Sequence, residues 1–475
     1  MSGTRIFILL AGLTAIAWSS RRWREGIKIA LVLAIFEGAL RKWVFPGAQD
    51  LVYFAKDVFL LGAYAGFLRE RRQLRYRPPT VQVVSVALVL LAVLGMLEIF
   101  NPNLPNLLVG VLGFKAYFFY VPLLYILPAV FPSDAALARS VRAYLRIAIP
   151  VGLLALAQFF SPAGSVLNTY ARSSETASAI TFGSSTYVRV TATFSFISGY
   201  TSYLLAMSIL LLAWLGTTRW RFRGNLDLLA ALGFTLLGML MTGSRGPLLA
   251  FVVVLPLYWW LAIVRERQSG ATLLRLLVGL GLIGILLNQF GGEAVDAFEG
   301  RASGSGVEAF LERVSTPFVA PLNVLPDVGL FGFGIGAAHQ AATALAGGPI
   351  PFIWLRGLAV EAESGRILLE LGPLGFLLLY FIRLYMALFA FRQVLVLRTP
   401  FHRALAVSSL LFFLVQIPGN IVYDVTSSLY FWTSGGILLT AMKLDREAVR
   451  AVARARQQSP ARPALEPALP TQEAT

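Results

Sequence analysis

The chain of 475 residues is 57% hydrophobic and only 13% charged, whereas soluble domains carry about 25% charge. That excludes an ordinary soluble enzyme and predicts a polytopic membrane protein. The 40 Lys and Arg against 24 Asp and Glu would suit nucleic acid, but no soluble basic domain exists to bind it, and the absence of cysteine excludes a disulfide framework or thiolate metal site.

The continuous apolar runs predict an all-α fold, a transmembrane helical bundle of about 12–13 spans; a β-barrel would show short alternating segments. In chain order the spans fall near 5–18, 27–45, 51–68, 80–100, 108–131, 143–160, 194–215, 226–243, 247–264, 273–290, 364–390, 404–422 and 426–442. The first is no cleavable leader, because Ile6–Trp18 precedes Arg21, Arg22 and Arg24, the wrong order for a signal peptide. Basic connections recur at Arg21–Arg24, Arg69–Arg77, Arg139–Arg142, Arg219–Arg223, Arg265–Arg267, Arg392–Arg403 and from Lys443 onward. Counting spans between them places all of these on one side, which the positive-inside tendency makes the cytoplasmic face. Residues 1–442 then form one transmembrane domain. Residues 443–475, rich in Ala, Arg, Pro and Gln, are expected to be a disordered, basic cytoplasmic tail.

The opposite face carries a Ser/Thr-rich loop at 161–193 and a long loop at 291–363, whose aromatic and aliphatic residues suggest short helices lying on the membrane surface. It also carries the turn Thr242-Gly-Ser-Arg245-Gly246. Between Leu228 and Val264 Arg245 is the only formal charge, at the tip of a hairpin of two apolar spans. It either snorkels to headgroups or, with Gly243 and Gly246 allowing a tight turn, projects into a cavity and binds an anion.

Other cations on this outer side run against the positive-inside tendency: Arg41, Lys42, Lys56, Lys115, Arg172, Arg189, Arg301, Arg313, Arg356 and Arg366. Together they suit a phosphate or pyrophosphate. Local pairing offers a plainer account, with Glu37 beside Arg41, Lys56 beside Asp57, and Glu363 one turn from Arg366. Arg189 and Arg245 have no acidic neighbour in sequence and carry the most weight. Glu361 and Glu363, where the long loop enters the membrane, are candidate general bases or mere orienters of arginine. Gly332, Gly334 and Gly336 lack the strand–helix setting of a nucleotide loop and instead permit close backbone approach. His339 and His402 fall on opposite sides, so no histidine metal centre is expected.

Four motifs in order, Arg189-Val-Thr-Ala-Thr-Phe194, Thr242-Gly-Ser-Arg-Gly246, Gly332-Phe-Gly-Ile-Gly336 and Glu370-Leu-Gly-Pro-Leu-Gly375, resemble the O-antigen ligase and O-antigen polymerase superfamily over roughly residues 80–445. The resemblance implies a metal-independent, cofactor-free glycosyltransferase of the bacterial inner membrane, with 291–363 as a periplasmic loop. Such an enzyme takes a glycan from undecaprenyl pyrophosphate and joins it to a sugar hydroxyl of a glycan or lipid-linked acceptor. By motif, Arg189 and Arg245 would hold the pyrophosphate, with Arg313 and Arg366 as further ligands and Arg41, Lys42, Lys115 and His339 as secondary candidates. The sequence departs from the family where ligases show a His-Asn pair, since Glu361, Ala362 and Glu363 stand there; Glu363, or failing that Glu361, would then take the acceptor's proton. Two other classes remain open, a transporter or flippase of a lipid-linked or anionic saccharide and a non-catalytic assembly partner.

Overall fold

The computed structural model describes residues 3–71, 81–172, 175–178, 180–182, 187–217, 222–266, 281, 307–348 and 361–458. In order these form α1 (Gly3–Arg21), α2 (Trp23–Ala39), α3 (Ala55–Arg71), α4 (Gln82–Glu98), α5 (Leu107–Phe118), α6 (Pro122–Val130), α7 (Asp134–Arg146), α8 (Ala148–Phe159), the strands β1 (Thr169–Arg172) and β2 (Glu175–Ser178), α9 (Ile197–Thr217), α10 (Phe222–Met241), α11 (Arg245–Glu266), α12 (Val307–Val324), α13 (Glu363–Val396), α14 (Pro400–Val415) and α15 (Val425–Gln458). The protein is an all-α polytopic bundle, whose β structure among the described residues is the antiparallel β1–β2 hairpin, which pairs Thr169 with Ser178, and an isolated bridge between Thr181 and Val188. Among the described residues six helices, or seven if the pair α5 and α6 bent by 44° is one span, are long and apolar enough to cross a membrane. The expected 12–13 spans also counted the shorter apolar helices α4, α11 and α14, the helices α2 and α15, which do not meet that measure, and 273–290, which lies outside the described residues.

Local chemistry sets the boundaries. Asn106 caps α5 by accepting from the Val109 N–H at 3.1 Å, and Ser133 caps α7 through the Ala136 N–H at 3.3 Å. Pro122 and Pro400 stand in the first turns of α6 and α14, where no N–H is needed. Close approach also organises the bundle, as lipid tails supply little hydrophobic drive between spans. Gly62 and Gly66 of α3 lie against the backbone of Ile16 and Ser20 in α1.

The bundle has two chemically distinct ends. At one, Arg24 pairs with Glu70 at 3.3 Å, Arg142 and Arg146 pair with Asp227, Lys443 donates to the Pro128 carbonyl, and His402 bridges Asp134 and Asp445. Among the described residues, Arg24, Arg142, Arg146 and Lys443, from basic segments that the span count put on one side, lie at this end. The tail corrects one expectation. Residues 443–458 continue α15, since their Ala, Glu and Arg favour helix and Asp445 accepts from the N–H groups of Arg398 and Thr399; residues after 458 lie outside the described part.

At the other end the described part of the long loop holds the 18-residue α12 followed by two short helices, a 3-10 turn at Leu325–Asp327 and a five-residue helix at Ala342–Ala346, and Val324 of α12 packs on Leu368 and Leu369 of α13. Residues 330–336 then dock on a break in α13, where Phe333 and Gly334 donate to the carbonyls of Leu369 and Glu370 at 2.8 and 3.1 Å. The break is at Gly372, with φ 64°, followed by Pro373, which has no N–H to continue the helix. A Cβ at Gly332, whose φ is 75°, would stand 2.6 Å from the Gly372 nitrogen, so only glycine allows this contact.

Candidate functional site

Arg189 is held by backbone on both sides. Its N–H donates to the Ile180 carbonyl at 2.8 Å, and the Val190 N–H donates to Met241 at the end of α10 at 3.1 Å. The side chain therefore lies over the turn between α10 and α11. Its Nε donates to the Thr242 carbonyl at 2.8 Å and its Nη2 to Ser244 Oγ at 3.0 Å. The turn depends on Gly243, which has φ 60° and whose added Cβ would lie 2.6 Å from the Phe182 ring. Arg245 follows at once as the first residue of the 22-residue α11. The Arg189 guanidinium thus lies on the turn that opens α11, a helix N-terminus whose unsatisfied N–H groups and dipole favour an anion.

The segment after Arg189 is strained and then pinned. Ala192 has φ 46°, a conformation that costs a non-glycine residue about 1–3 kcal/mol. Gln158 of α8 accepts from the Ala192 N–H at 2.7 Å and donates to its carbonyl at 3.2 Å, while Lys42 Nζ donates to the same carbonyl at 2.5 Å and to Thr191 Oγ1 at 3.1 Å. Arg41 reaches Ser195 Oγ at 2.8 Å and the Gln49 carbonyl at 3.1 Å. Arg41 and Lys42 are buried supports of this segment.

The local ion pairs expected from spacing are replaced by pairs between residues farther apart in the chain. Glu37 pairs with Lys56 rather than Arg41, and Asp57 takes Lys115 at 2.6 Å and the Tyr120 hydroxyl at 2.6 Å. Glu363 pairs with Arg383, a full five turns along α13, rather than Arg366. The Glu363 carboxylate also accepts from the N–H groups of Ile421, Val422 and Tyr423 at 2.9, 2.7 and 3.2 Å. It is buried and fully engaged in tying α13 to the link between α14 and α15, an arrangement that suits an anchor and not a proton acceptor. Glu361, two residues earlier, is exposed.

A second group lies along the same end. Arg366 stacks its guanidinium 5.5 Å from the Tyr423 ring centre, and His339 lies 6.3 Å from that ring. Lys115, Tyr53 and His339 line one small cavity with Val422 and Ser428. Burial, with Lys115 and Arg366 nearby, pulls the His339 imidazole down to about 4. His339 Nδ1 accepts the Ala341 N–H at 3.1 Å, so the neutral ring presents Nε2–H as a donor. Glu370 is fully buried and accepts from the Tyr117 hydroxyl at 3.0 Å and the Ala338 N–H at 2.8 Å.

The structure therefore brings Arg189 to the Arg245 turn and places Arg366 with Lys115 and His339. Arg313 belongs to α12, and its side chain lies outside the described part. Sequence reasoning missed Arg383, Gln158 and Tyr423. A lone arginine inside the apolar run Tyr380-Phe-Ile-Arg-Leu-Tyr385 was the available signal, since an intramembrane charge has a partner; nothing local marked Gln158 or Tyr423. Among the described residues no group of His, Asp and Glu could hold a metal ion. No protein-family model matches the chain, and neither curated proteins nor solved structures gave a match.

Proposed function

We propose that this chain is a glycosyltransferase of the polysaccharide polymerase or ligase kind, moving a glycan from undecaprenyl pyrophosphate to a sugar hydroxyl on the periplasmic side of the inner membrane. The observation that carries the reading is the seat of Arg189 on the Thr242–Ser244 turn beside Arg245. Pyrophosphate is the leaving group of such a transfer. Guanidinium groups and a helix N-terminus, fixed before the reaction, stabilise the charge that develops on it. The clamp of Gln158 and Lys42 on Ala192 holds Arg189 in place, so the site needs little rearrangement as charge builds.

In this reading the glycosidic bond to pyrophosphate breaks as the acceptor oxygen bonds to the sugar, and the acceptor's proton passes to a base. Glu361 takes that part, since Glu363 is committed to Arg383 and three backbone donors. His339, as a neutral donor, and Arg366 orient the acceptor or its phosphate. The test is to replace Arg245 with Ala and follow polymer formation in cells. Loss of polymer with normal membrane levels supports the proposal, and full polymer from a stably inserted variant rejects it.

A further inference from the structure

A sizeable cavity lies away from the arginine site, in the half of the bundle toward His402. It measures about 290 Å³ and its walls are almost wholly apolar, with Leu31, Leu127, Met207, Leu405 and Ile437 contributed by α2, α6, α9, α14 and α15. Packed interiors leave few voids larger than a water molecule, and an apolar cavity of roughly 150 Å³ already takes up a benzene ring. A space this large and dry holds a hydrophobic guest.

The opening identifies the guest. The cavity is partly open, and its lining includes the exposed residues Val32 of α2 and Ala143 of α7 together with Lys28 at the rim. The helix α7 is strongly amphipathic, burying Leu137, Val141 and Leu145. Arg139 and Arg146 stand one turn before and one turn after Ala143, on the face that borders the opening. Arg146 is paired with Asp227 and Lys28 with Glu25, but Arg139 has no acidic partner among the described residues and is exposed. An apolar hole roofed by a basic amphipathic helix is the complement of one lipid chain below an anionic headgroup.

We propose that this cavity binds a hydrocarbon chain of an anionic phospholipid, with the headgroup against Arg139 and Lys28. The site is separate from the arginine cluster and stands or falls independently of the transferase reading.

The test uses the full-length protein in detergent, stripped of lipid, with phosphatidylglycerol and phosphatidylcholine of identical chains as probes and native mass spectrometry as the readout. One phosphatidylglycerol should bind in clear preference to phosphatidylcholine. Arg139→Gln should weaken phosphatidylglycerol about fivefold while leaving phosphatidylcholine unchanged, and Met207→Trp, which fills the cavity, should remove binding of both. Because Met207→Trp could disturb folding, a phosphatidylglycerol with a photoreactive chain is also cross-linked to the wild-type protein, with adducts expected on α7, α9 and α15 lining residues. Equal binding of the two lipids, indifference to Arg139→Gln, or adducts confined to the outer surface of the bundle would overturn the proposal.

Discussion

Glu363 and Glu361 are two residues apart and are expected to fail in different ways when altered. Glu363→Gln strips the charge from a buried carboxylate and leaves the Arg383 guanidinium, 1% exposed, without its counter-ion. Breaking a buried pair from one side costs about 3–5 kcal/mol. The variant should therefore show reduced folded protein and a lower melting temperature in detergent. Glu361→Gln touches an exposed residue and should melt like wild type while turnover falls about 100-fold or more, the usual scale for losing a general base. Comparing melting and turnover for the two variants separates anchor from base.

His339 makes a pH-dependent contribution with a definite sign. Its folded value of about 4 lies below the unfolded 6.5. As pH falls the unfolded chain takes up the proton first, so stability is unaffected above about pH 6.5 and declines between there and pH 4. His339→Gln should flatten that part of the melting profile, and an unchanged slope would show that the ring does not titrate where its surroundings put it.

Among the elements, the α10–α11 turn and the segment 189–194 form a single unit. Gly243→Ala places a methyl group against Phe182 at a positive φ and displaces the turn that Arg189 grips. Gln158→Ala removes the bonds holding Ala192 in its strained conformation. Both variants should insert normally, and both should lower turnover without touching an arginine. Polymer formation measured against membrane protein level checks this.

This unit also shows what could be read from sequence. The hairpin and the isolation of Arg245 were legible because a lone charge and a Gly/Ser/Pro turn interrupt an otherwise apolar run. The seat of Arg189 across from it was not, since hydrogen bonds between residues 53 positions apart leave no local pattern. The same reason explains the ion pairs. Neighbouring charges such as Glu363 and Arg366 satisfied helical spacing, but burial favoured Arg383, which can reach Glu363 across the break at Gly372. The β1–β2 hairpin was missed because Thr169–Ser178 is too short and polar to show a clear alternation.

For the whole molecule, the separation of two ends is the most informative feature. Apolar length made the helical bundle legible, and Arg24, Arg142 and Lys443, which span parity put on one side, contact neighbours at one end of the bundle. The absence of cysteine makes sidedness directly measurable. Val166→Cys, at a position 76% exposed near the arginine site, should react with an impermeant thiol reagent applied to the periplasmic side. Ala135→Cys, at the His402 end, should react only after the membrane is opened. The reverse labelling would invert the topology and remove the proposed substrate from reach.

The most direct measurement of the central claim is a double-mutant cycle on glycan transfer by purified protein supplied with undecaprenyl-pyrophosphate-linked donor. If Arg189 and Arg245 grip one pyrophosphate, each Ala substitution should slow transfer about 100- to 1,000-fold. The double variant should then be far less impaired than the product of the single effects, as for residues acting as a unit. Transfer at the wild-type rate by the single variants, or two independent and multiplying losses, would contradict a shared grip on the leaving group.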